Sequence, residues 1–294
     1  MTRALILHAN LDCEARWAGI TLPATVLARV SLYGTLVSAL APQPVELYTP
    51  IAVDPAHVRM PWPIVLRTGT PARADLAWAD PTARAANDRR LALRVAALPG
   101  ARAIRDVDEI DLASWIVKLP WTAAGRDRCR GTGAPTAEHR TRIGRLLARC
   151  GELMLEPWCD RLIDVGVCAT VDGEAHAPHR LISDARGGFL GIDLAPPALL
   201  PAEHAALATH VEATREALRG VGYRGPFAID AFAYRDGEAR RFHPVCEINA
   251  RYSFGWIAHA LAARLGTTKL GFGRAPEGAR LLLEAPGGVT AWSA

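Results

Sequence analysis

Lysine is almost missing from this chain, although basic residues are common. Of its 34 lysines and arginines, only Lys118 and Lys269 are lysines. A codon preference for arginine explains the scarcity, but it does not explain why Lys118 stands inside an apolar segment, residues 114–121. A buried cation needs an anion, and the lysine ammonium is a compact charge that suits a single phosphate. Lys118 is therefore a candidate phosphate ligand, with a strand-end lysine that extends to solvent as the alternative.

Other absences each exclude a class of protein. The six cysteines contain no C-x-x-C pair and stand mostly in apolar segments, so we expect buried thiols in a reducing compartment and no zinc site. No apolar run approaches the length of a membrane span, and the first apolar segment is too short for a signal-peptide core. No basic run is interleaved with aromatic residues, and the net charge is only +4. We therefore expect a cytoplasmic protein without a nucleic-acid or membrane partner.

The composition indicates a folded protein of the α/β (α+β) class. The chain has 294 residues, of which 50% are hydrophobic, and it can form two or three compact lobes. Strand and helix patterns alternate along it, with helices expected at residues 23–39, 81–97, 137–149, 201–219 and 256–265. Strands are expected between these helices and in a late acidic hairpin.

This hairpin is the most informative part of the chain. Two apolar strands, residues 227–232 and 243–251, each carry an acid, and a charged turn separates them. If the strands pair as a hairpin, Asp230 lies roughly across from Glu247, and Asn249 shares their face because side chains alternate along a strand. Two carboxylates and an amide suit a hard divalent cation such as Mg²⁺, which is often held by carboxylates together with nucleotide phosphates. A nucleotide enzyme is thus the first hypothesis.

Taken together, three segments resemble the ATP-grasp superfamily, which includes D-alanine:D-alanine ligase, glutathione synthetase and biotin carboxylase. They are residues 115–128, 153–164 and 225–251, and their order and spacing match the family. The resemblance implies an ATP-grasp fold with three parts: an N-terminal α/β lobe at residues 1–97, a small lid lobe at 98–165 and a C-terminal metal-binding lobe at 166–294.

The resemblance also implies roles for residues of the lid. A lysine at the end of a lid strand contacts the nucleotide phosphates in this family, and Lys118 stands there. The following loop, residues 122–135, closes over the phosphates, which implies that Gly125 and Arg126 bind them, with Arg128 and Arg130 as further cations. This loop departs from the family pattern because it is rich in arginine rather than in glycine and serine. A solvated surface loop is the alternative.

Further roles follow from the resemblance for the linker between the lid and the C-terminal lobe. Such linkers bind adenine, which implies nucleotide contacts for Glu156, Pro157 and Trp158. An acid about eight residues further on often binds the ribose hydroxyls, and Asp164 matches it. The alternative is that Asp164 only pairs with nearby Arg161.

The metal set carries over as Asp230, Glu247 and Asn249, with Mg²⁺ or Mn²⁺ as the ion and ATP as the nucleotide. Arg251 is expected to face the same pocket and to bind the transferring phosphoryl group or the substrate carboxylate. The alternative is a structural ion pair between Glu247 and Arg251. Four weaker candidates are His243 and three side chains after the first strand: Asp12, Glu14 and Arg16.

The implied activity is ATP-dependent ligation, in which a small-molecule or peptide carboxylate becomes an acyl phosphate and is joined to an amine. An ATP-binding regulatory or scaffolding protein without ligase activity is one alternative, and a small-molecule kinase is another. Neither the acid nor the amine can be named from the sequence, and the oligomeric state, a homodimer included, stays open.

Overall fold

A computed structural model describes residues 3–42, 44–121, 127–184 and 187–294. The chain divides into two compact units, each assembled from separate stretches of sequence. Unit 1 consists of Met1–Ala83, His176–Pro197 and Arg251–Ala294, and unit 2 consists of Arg84–Ala175 and Ala198–Ala250. Among the described residues, no helix has the length and hydropathy needed to span a membrane.

The described residues form strands β1 to β16 and α-helices α1 to α6, in chain order. The strands are Leu5–His8, Val45–Thr49, Ile64–Thr68, Leu76–Ala77, Arg102–Ile104, Ser114–Lys118, Arg128–Thr132, Leu153–Pro157, Asp160–Thr170, His179–Ser183, Phe189–Asp193, Pro226–Asp236, Ala239–Asn249, Lys269–Phe272, Arg280–Ala285 and Val289–Ser293. The helices are Cys13–Trp17, Ala24–Gly34, Arg89–Val95, Ala137–Cys150, Pro201–Gly220 and Phe254–Leu265.

Unit 1 begins with a parallel sheet of strand order β3-β2-β1-β4. The central strand β1 runs parallel to both β2 and β4, and its Leu7 is fully buried. The unit also contains the antiparallel strands β10, β11, β14, β16 and β15, paired in this order. Helix α6 contributes Ile257 and Leu261 to the core of this unit, where both are fully buried. Carboxyl ends of parallel strands commonly carry ligand sites, so the edge beyond β1 and β4 is the part of unit 1 relevant to function.

Unit 2 contains a lid sheet of strand order β5-β8-β6-β7, with helix α4 packed on it. Trp115 and Ile143 are fully buried in the core between this sheet and α4. The helix begins because the Thr136 hydroxyl accepts a hydrogen bond from the His139 N–H, and it ends at Gly151, whose φ of 73° favours glycine.

The second sheet of unit 2 places the acidic hairpin. Strand β12 lies between β9 and β13 and is antiparallel to both. The hairpin turns at Gly237, with a φ of 61°, and this agrees with the turn expected from the sequence. The pairing is interrupted by a bulge, because only Ala231 separates two paired residues of β12, whereas residues 244–246 separate their partners on β13. Pro244 lies in this bulge, where its missing N–H costs no ladder hydrogen bond.

Three predicted elements differ from the structure. The helix expected at residues 23–39 is α-helical only over Ala24–Gly34 and continues as a 3-10 helix over Thr35–Leu40. The helix expected at residues 81–97 is shorter, because α3 begins only at Arg89, after Asp88 caps it by accepting from the Arg90 N–H. Asn87 cannot continue that helix toward the N-terminus, since its amide side chain exchanges two hydrogen bonds with the main chain of Ala250. The loop expected at residues 122–135 contains strand β7, which pairs with β6.

Candidate active site

The hairpin brings two carboxylates of unit 2 together. Asp230 on β12 and Glu247 on β13 are register partners, so their side chains leave the same face of the sheet. Asn249 lies on this face as well, and its Nδ2 donates to Asp230 Oδ2 at 3.5 Å. Asn249 is buried, whereas the Glu247 side chain is 27% exposed. The pairing agrees with the one predicted from the sequence.

The donor set of this face fits a magnesium ion. Two carboxylates and an amide offer oxygen ligands, which Mg²⁺ and Mn²⁺ prefer over nitrogen and sulfur. The described residues contain no group of three or more histidine, cysteine, aspartate or glutamate side chains that could hold a metal ion. This face supplies two such carboxylates, and its third donor is the amide of Asn249. The metal role of Asp230, Glu247 and Asn249 stays a prediction, and its chemistry is consistent with the residues present.

Lys118 forms a buried ion pair in the lid sheet. Its Nζ lies 2.6 Å from Glu156 Oε2, and the two side chains are 12% and 9% exposed. The pair forms because β6 and β8 are neighbouring antiparallel strands, each with a charged residue near its end. Burial disfavours the charged form of Lys118, but the Glu156 carboxylate outweighs this effect, so the pKa of Lys118 is raised. Lys118 therefore favours its charged form inside the unit.

Arg89 connects the lid strand with the acidic hairpin, and the sequence analysis did not find it. Its Nη2 donates to Glu247 Oε1 at 2.8 Å, and its Nη1 donates to the carbonyl of Leu119 at 2.9 Å. The Arg89 side chain is only 8% exposed. The sequence does contain one indication of this role. Arg89 and Arg90 stand in the first turn of α3, where the helix dipole disfavours cations. On this ground, at least one of them would be expected to pair with an acid outside the helix.

Cys246 and His243 lie in the same cluster of unit 2. A small pocket is lined by Arg89, Glu156, His243 and Cys246 together with apolar residues of α3 and the segment that follows it. Burial raises the pKa of the Cys246 thiol, against the opposing effect of the nearby Lys118 ammonium. Burial also lowers the pKa of His243 to about 4, and Lys118 adds to this shift. Both side chains are consequently neutral at pH 7.

The predicted adenine linker connects β8 and β9. Glu156 and Pro157 are the last residues of β8, and the N–H of Trp158 donates to the carbonyl of Ser114 at 3.0 Å. The Trp158 ring lies 5.1 Å from the guanidinium of Arg130. These contacts attach the linker to the lid strands, and the nucleotide role of its residues stays a prediction.

Asp164 makes the ion pair that was the alternative to a ribose contact. Its Oδ1 lies 2.7 Å from Arg161 Nη1, and the guanidinium of Arg161 lies 3.9 Å from the ring centre of Phe232. Burial would lower the pKa of Arg161, but Cys246 and Asp164 raise it above its ordinary value. The ion pair does not exclude a ribose contact by Asp164, which stays a prediction.

The loop after Lys118 is described only in part. Gly125 and Arg126 lie outside the described residues, so their predicted phosphate contacts stay predictions. Arg128 belongs to β7 and is the register partner of Lys118. The arginine-rich stretch is therefore partly a strand that continues the lid sheet.

Arg251 belongs to unit 1, where its described partner is a different acid from the one weighed in the sequence analysis. Its Nη2 lies 2.6 Å from Glu14 Oε1, and both side chains are almost fully buried. The guanidinium also lies 5.6 Å from the ring centre of Trp78. Glu14 stands in α1 directly after β1, so this pair lies at the carboxyl edge of the parallel sheet. The expected role of Arg251 in phosphoryl or carboxylate binding stays a prediction.

Comparison with known proteins gives a consistent result at the level of structure. No family model and no curated protein matches the sequence. The chain is similar in structure to biotin carboxylase from Campylobacter jejuni in its β,γ-ATP complex, with a TM-score of 0.58 at 11% identity over 98% of this chain and 87% of that one. It is also similar to D-alanyl-alanine synthetase A from Vibrio cholerae, with a TM-score of 0.51 at 13% identity over 85% and 89% of the two chains.

A third similar structure is the biotin carboxylase domain dimer of the Hydrogenobacter thermophilus 2-oxoglutarate carboxylase, in complex with MgADP, ADP and bicarbonate. The TM-score is 0.53 at 12% identity, over 99% of this chain and 86% of that one. These proteins share one architecture. The chain has the ATP-grasp fold.

The ATP-grasp fold agrees with the fold class expected from the sequence. At these low identities the likeness concerns the fold alone, and the roles of individual residues rest on the geometry above. The chain spans 64% of the length of an N5-carboxyaminoimidazole synthetase from Staphylococcus aureus complexed with ADP, at a TM-score of 0.46.

Proposed function

We propose that this chain is an ATP-dependent ligase that activates a small carboxylate as an acyl phosphate, joins it to an amine and releases ADP and phosphate. The observation that carries the proposal is the contact between Arg89 and Glu247. Arg89 is a buried cation that contacts the end of the strand carrying Lys118. It also binds the acidic face of the hairpin, and the chain has the ATP-grasp fold. Cations for a triphosphate and oxygen donors for a metal ion are thus present in one unit.

The reaction is mainly a problem of charge. A carboxylate and a triphosphate repel each other, so the site must neutralise both and align them. Lys118 and Arg89 would bind phosphate oxygens, and Asp230, Glu247 and Asn249 would hold Mg²⁺ or Mn²⁺. The bound ion would supply charge neutralisation of the phosphates. No side-chain nucleophile is needed.

The ion pairs explain how these charges can stay buried without nucleotide. Lys118 is paired with Glu156 and Arg89 with Glu247, so the cost of moving each charge out of water is already offset in the folded protein. When a triphosphate binds, each of these cations would exchange its carboxylate partner for a phosphate oxygen. This exchange costs less than burying an unpaired lysine or arginine at the moment of binding.

The substrates remain to be found, and the first experiment looks for them. The protein is incubated with ATP, Mg²⁺ and pooled amino acids or small peptides, and condensed products are sought by mass. A ligase releases ADP and phosphate only when both an acid and an amine are present. A small-molecule kinase would leave a stable phosphorylated product instead, and a regulatory ATP-binding protein would bind ATP without turning it over. Either result contradicts the proposal.

A matched pair of variants tests the site itself. Glu247→Gln removes one predicted metal ligand and the partner of Arg89, so we expect ADP release to fall at least about 100-fold. Glu238→Gln changes an exposed acid in the turn of the same hairpin and should leave activity unchanged. Equal activity of Glu247→Gln and the wild type would remove the proposed site.

Three further statements belong to this proposal. We assign residues 1–97 to an N-terminal lobe, 98–165 to the lid and 166–294 to the metal-binding lobe, which limited proteolysis with and without ATP can test. We propose a cytoplasmic location, supported by the six free cysteines. One similar structure is a domain dimer, so a homodimer of this chain is to be tested by light scattering.

A further inference from the structure

Four aromatic side chains of unit 1 pack around Phe254, and we call the five residues together the Phe254 cluster. The ring centre of Phe254 lies 6.4 Å from that of Tyr33, 5.5 Å from Trp78, 6.0 Å from Phe189 and 4.8 Å from Phe272. The Phe189 and Phe254 rings are stacked, whereas the Phe272 and Tyr33 rings meet Phe254 edge to face. Only 6% of the chain is aromatic, so this concentration is a specific feature of unit 1.

The Phe254 cluster reaches the carboxyl edge of the parallel sheet. Trp78 follows β4 directly and is 4% exposed. Its ring centre lies 5.6 Å from the guanidinium of Arg251, which pairs with Glu14 after β1. Ligands of such sheets bind beyond the carboxyl ends of the strands. One end of the cluster is therefore in contact with a buried charged pair at the expected ligand-binding edge.

The other end of the cluster is open to solvent. Phe189 is 39% exposed, and its neighbour Leu190 is 42% exposed. Core packing explains why Trp78 is aromatic, but it does not explain why the exposed Phe189 is. An apolar wall that leads to a few fixed charges is the usual form of a small-molecule site, in which the wall binds the apolar part and the charges fix the orientation.

We propose that the acid substrate of this chain carries an aromatic or branched aliphatic group, which packs on Phe189 and Phe254 while the polar end of the substrate lies toward Arg251. This inference rests on the proposed ligase function, because it names the substrate class of that reaction. It disfavours acids with an anionic or a very small side chain. An anionic group would lose its water against the aromatic rings, whose faces carry partial negative charge, and a small group would leave the rings uncovered.

The test compares glycine, leucine and phenylalanine as acids. Binding to the full chain is measured by calorimetry in the presence of Mg²⁺ and a non-hydrolysable ATP analogue, and ADP release is measured separately with each acid and a pooled set of amines. We expect phenylalanine and leucine to bind at least about 10-fold more tightly than glycine, the selectivity that an apolar pocket provides. Phe189→Ala should remove most of this preference, with little change for glycine.

Leu162→Ala is the matched control, because Leu162 is also 42% exposed but lies in unit 2. It should keep the preference of the wild type. Binding without side-chain preference, no binding of phenylalanine, or an unchanged preference in Phe189→Ala would overturn the inference. If the preference is found but no acid and amine pair releases ADP, the ligase proposal fails while the apolar site stands, so the two failures are distinguishable.

Discussion

The ammonium of Lys118 and the carboxylate of Glu156 lie 2.6 Å apart, on neighbouring strands of the lid sheet, and both are almost withdrawn from solvent. Removing one partner of a buried pair leaves an uncompensated charge, which commonly costs about 3–5 kcal/mol. Replacing both partners by apolar residues avoids this cost. Comparing single and double variants therefore separates the contribution of the pair to the free energy of unfolding from its contribution to ADP release.

Lys118→Met should therefore lower the free energy of unfolding by about 3 kcal/mol, because it leaves Glu156 buried without its cation. The double variant Lys118→Met, Glu156→Leu should recover most of that stability but no ADP release. Urea unfolding and turnover assays check both statements. Lys269→Met is the control, since the Lys269 side chain is 47% exposed and its ammonium lies 3.5 Å from Asp193 Oδ2. The loss of this pair should cost less than about 1 kcal/mol. A fully active double variant would contradict the phosphate role of Lys118.

Arg89→Ala should reduce ADP release by about 100-fold or more, since it removes a cation beside Glu247 and the connection to the end of β6. Arg89→Lys keeps the charge but cannot donate to both Glu247 and the Leu119 carbonyl in the same way, so intermediate activity is expected. Arg90→Ala removes the neighbouring guanidinium, which pairs with Asp88 and Glu152. Steady-state kinetics should show normal turnover for this control; equal losses in all three variants would indicate a general effect on helix α3.

Unit 1 should lose stability in acid because of a cluster of three histidines. The ring centre of His259 lies 4.2 Å from that of His176 and 5.3 Å from that of His179. Burial, with a contribution from the two other histidines, lowers the pKa of His179 to about 3, well below the value of 6.5 for an exposed histidine. Between pH 6.5 and about 3, His179 therefore binds a proton in the unfolded chain but not in the folded chain. The stabilising effect is complete above pH 6.5 and is lost progressively as the pH falls toward 3.

Each pH unit in this interval should cost about 1.4 kcal/mol for His179 alone. His179→Leu removes this titration, so its free energy of unfolding should depend less on pH than that of the wild type. Urea unfolding between pH 4 and pH 7 measures the slope. Replacement of an exposed histidine, as in His204→Leu, should leave the slope unchanged. Parallel slopes for His179→Leu and the wild type would show that His179 does not control the acid sensitivity.

Two glycines of unit 2 should respond to alanine in opposite directions. A Cβ at Gly131 would collide with the indole of Trp115 on the neighbouring strand, so Gly131→Ala should destabilise the protein by about 1–3 kcal/mol. A Cβ at Gly144, inside α4, would meet no atom within 4 Å. Gly144→Ala should therefore stabilise the helix by about 0.5–1 kcal/mol. Thermal unfolding of both variants checks the signs, and a stable Gly131→Ala variant would mean that the lid sheet can shift away from Trp115.

The acidic hairpin could be predicted from sequence because its strand patterns and its turn are local. The register set by the turn at Gly237 would by itself pair Asp230 with Val245, and the two surplus residues of the bulge bring Glu247 opposite Asp230 instead. Because the shift is by two residues, it leaves the predicted face of the sheet unchanged. Lys118 could be found because a charge inside an apolar strand is unusual. The ATP-grasp fold followed from the order of three such segments and agrees with the structural comparisons.

The remaining features depend on contacts between distant parts of the chain. The partner of Arg89 is Glu247, 158 positions away, and no local pattern indicates that distance. The same holds for Asn87, whose hydrogen bonds to the main chain of Ala250 accompany the late start of the predicted helix at Arg89. Strands β14 to β16 were not predicted, because each is only four to six residues long and the segments that separate them are rich in glycine, with Gly273 and Gly287 at positive φ.

The bulge opposite Ala231 has a consequence for how this protein can vary. Because two surplus residues on β13 are absorbed there, the pairing of β12 with β13 is interrupted between the distal part of the hairpin and the acidic part. Length changes near Gly237 would be taken up before they reach Asp230 and Glu247. Insertions or fusions at that tip are therefore a tolerant route for engineering, and natural relatives should differ most in that part of the hairpin.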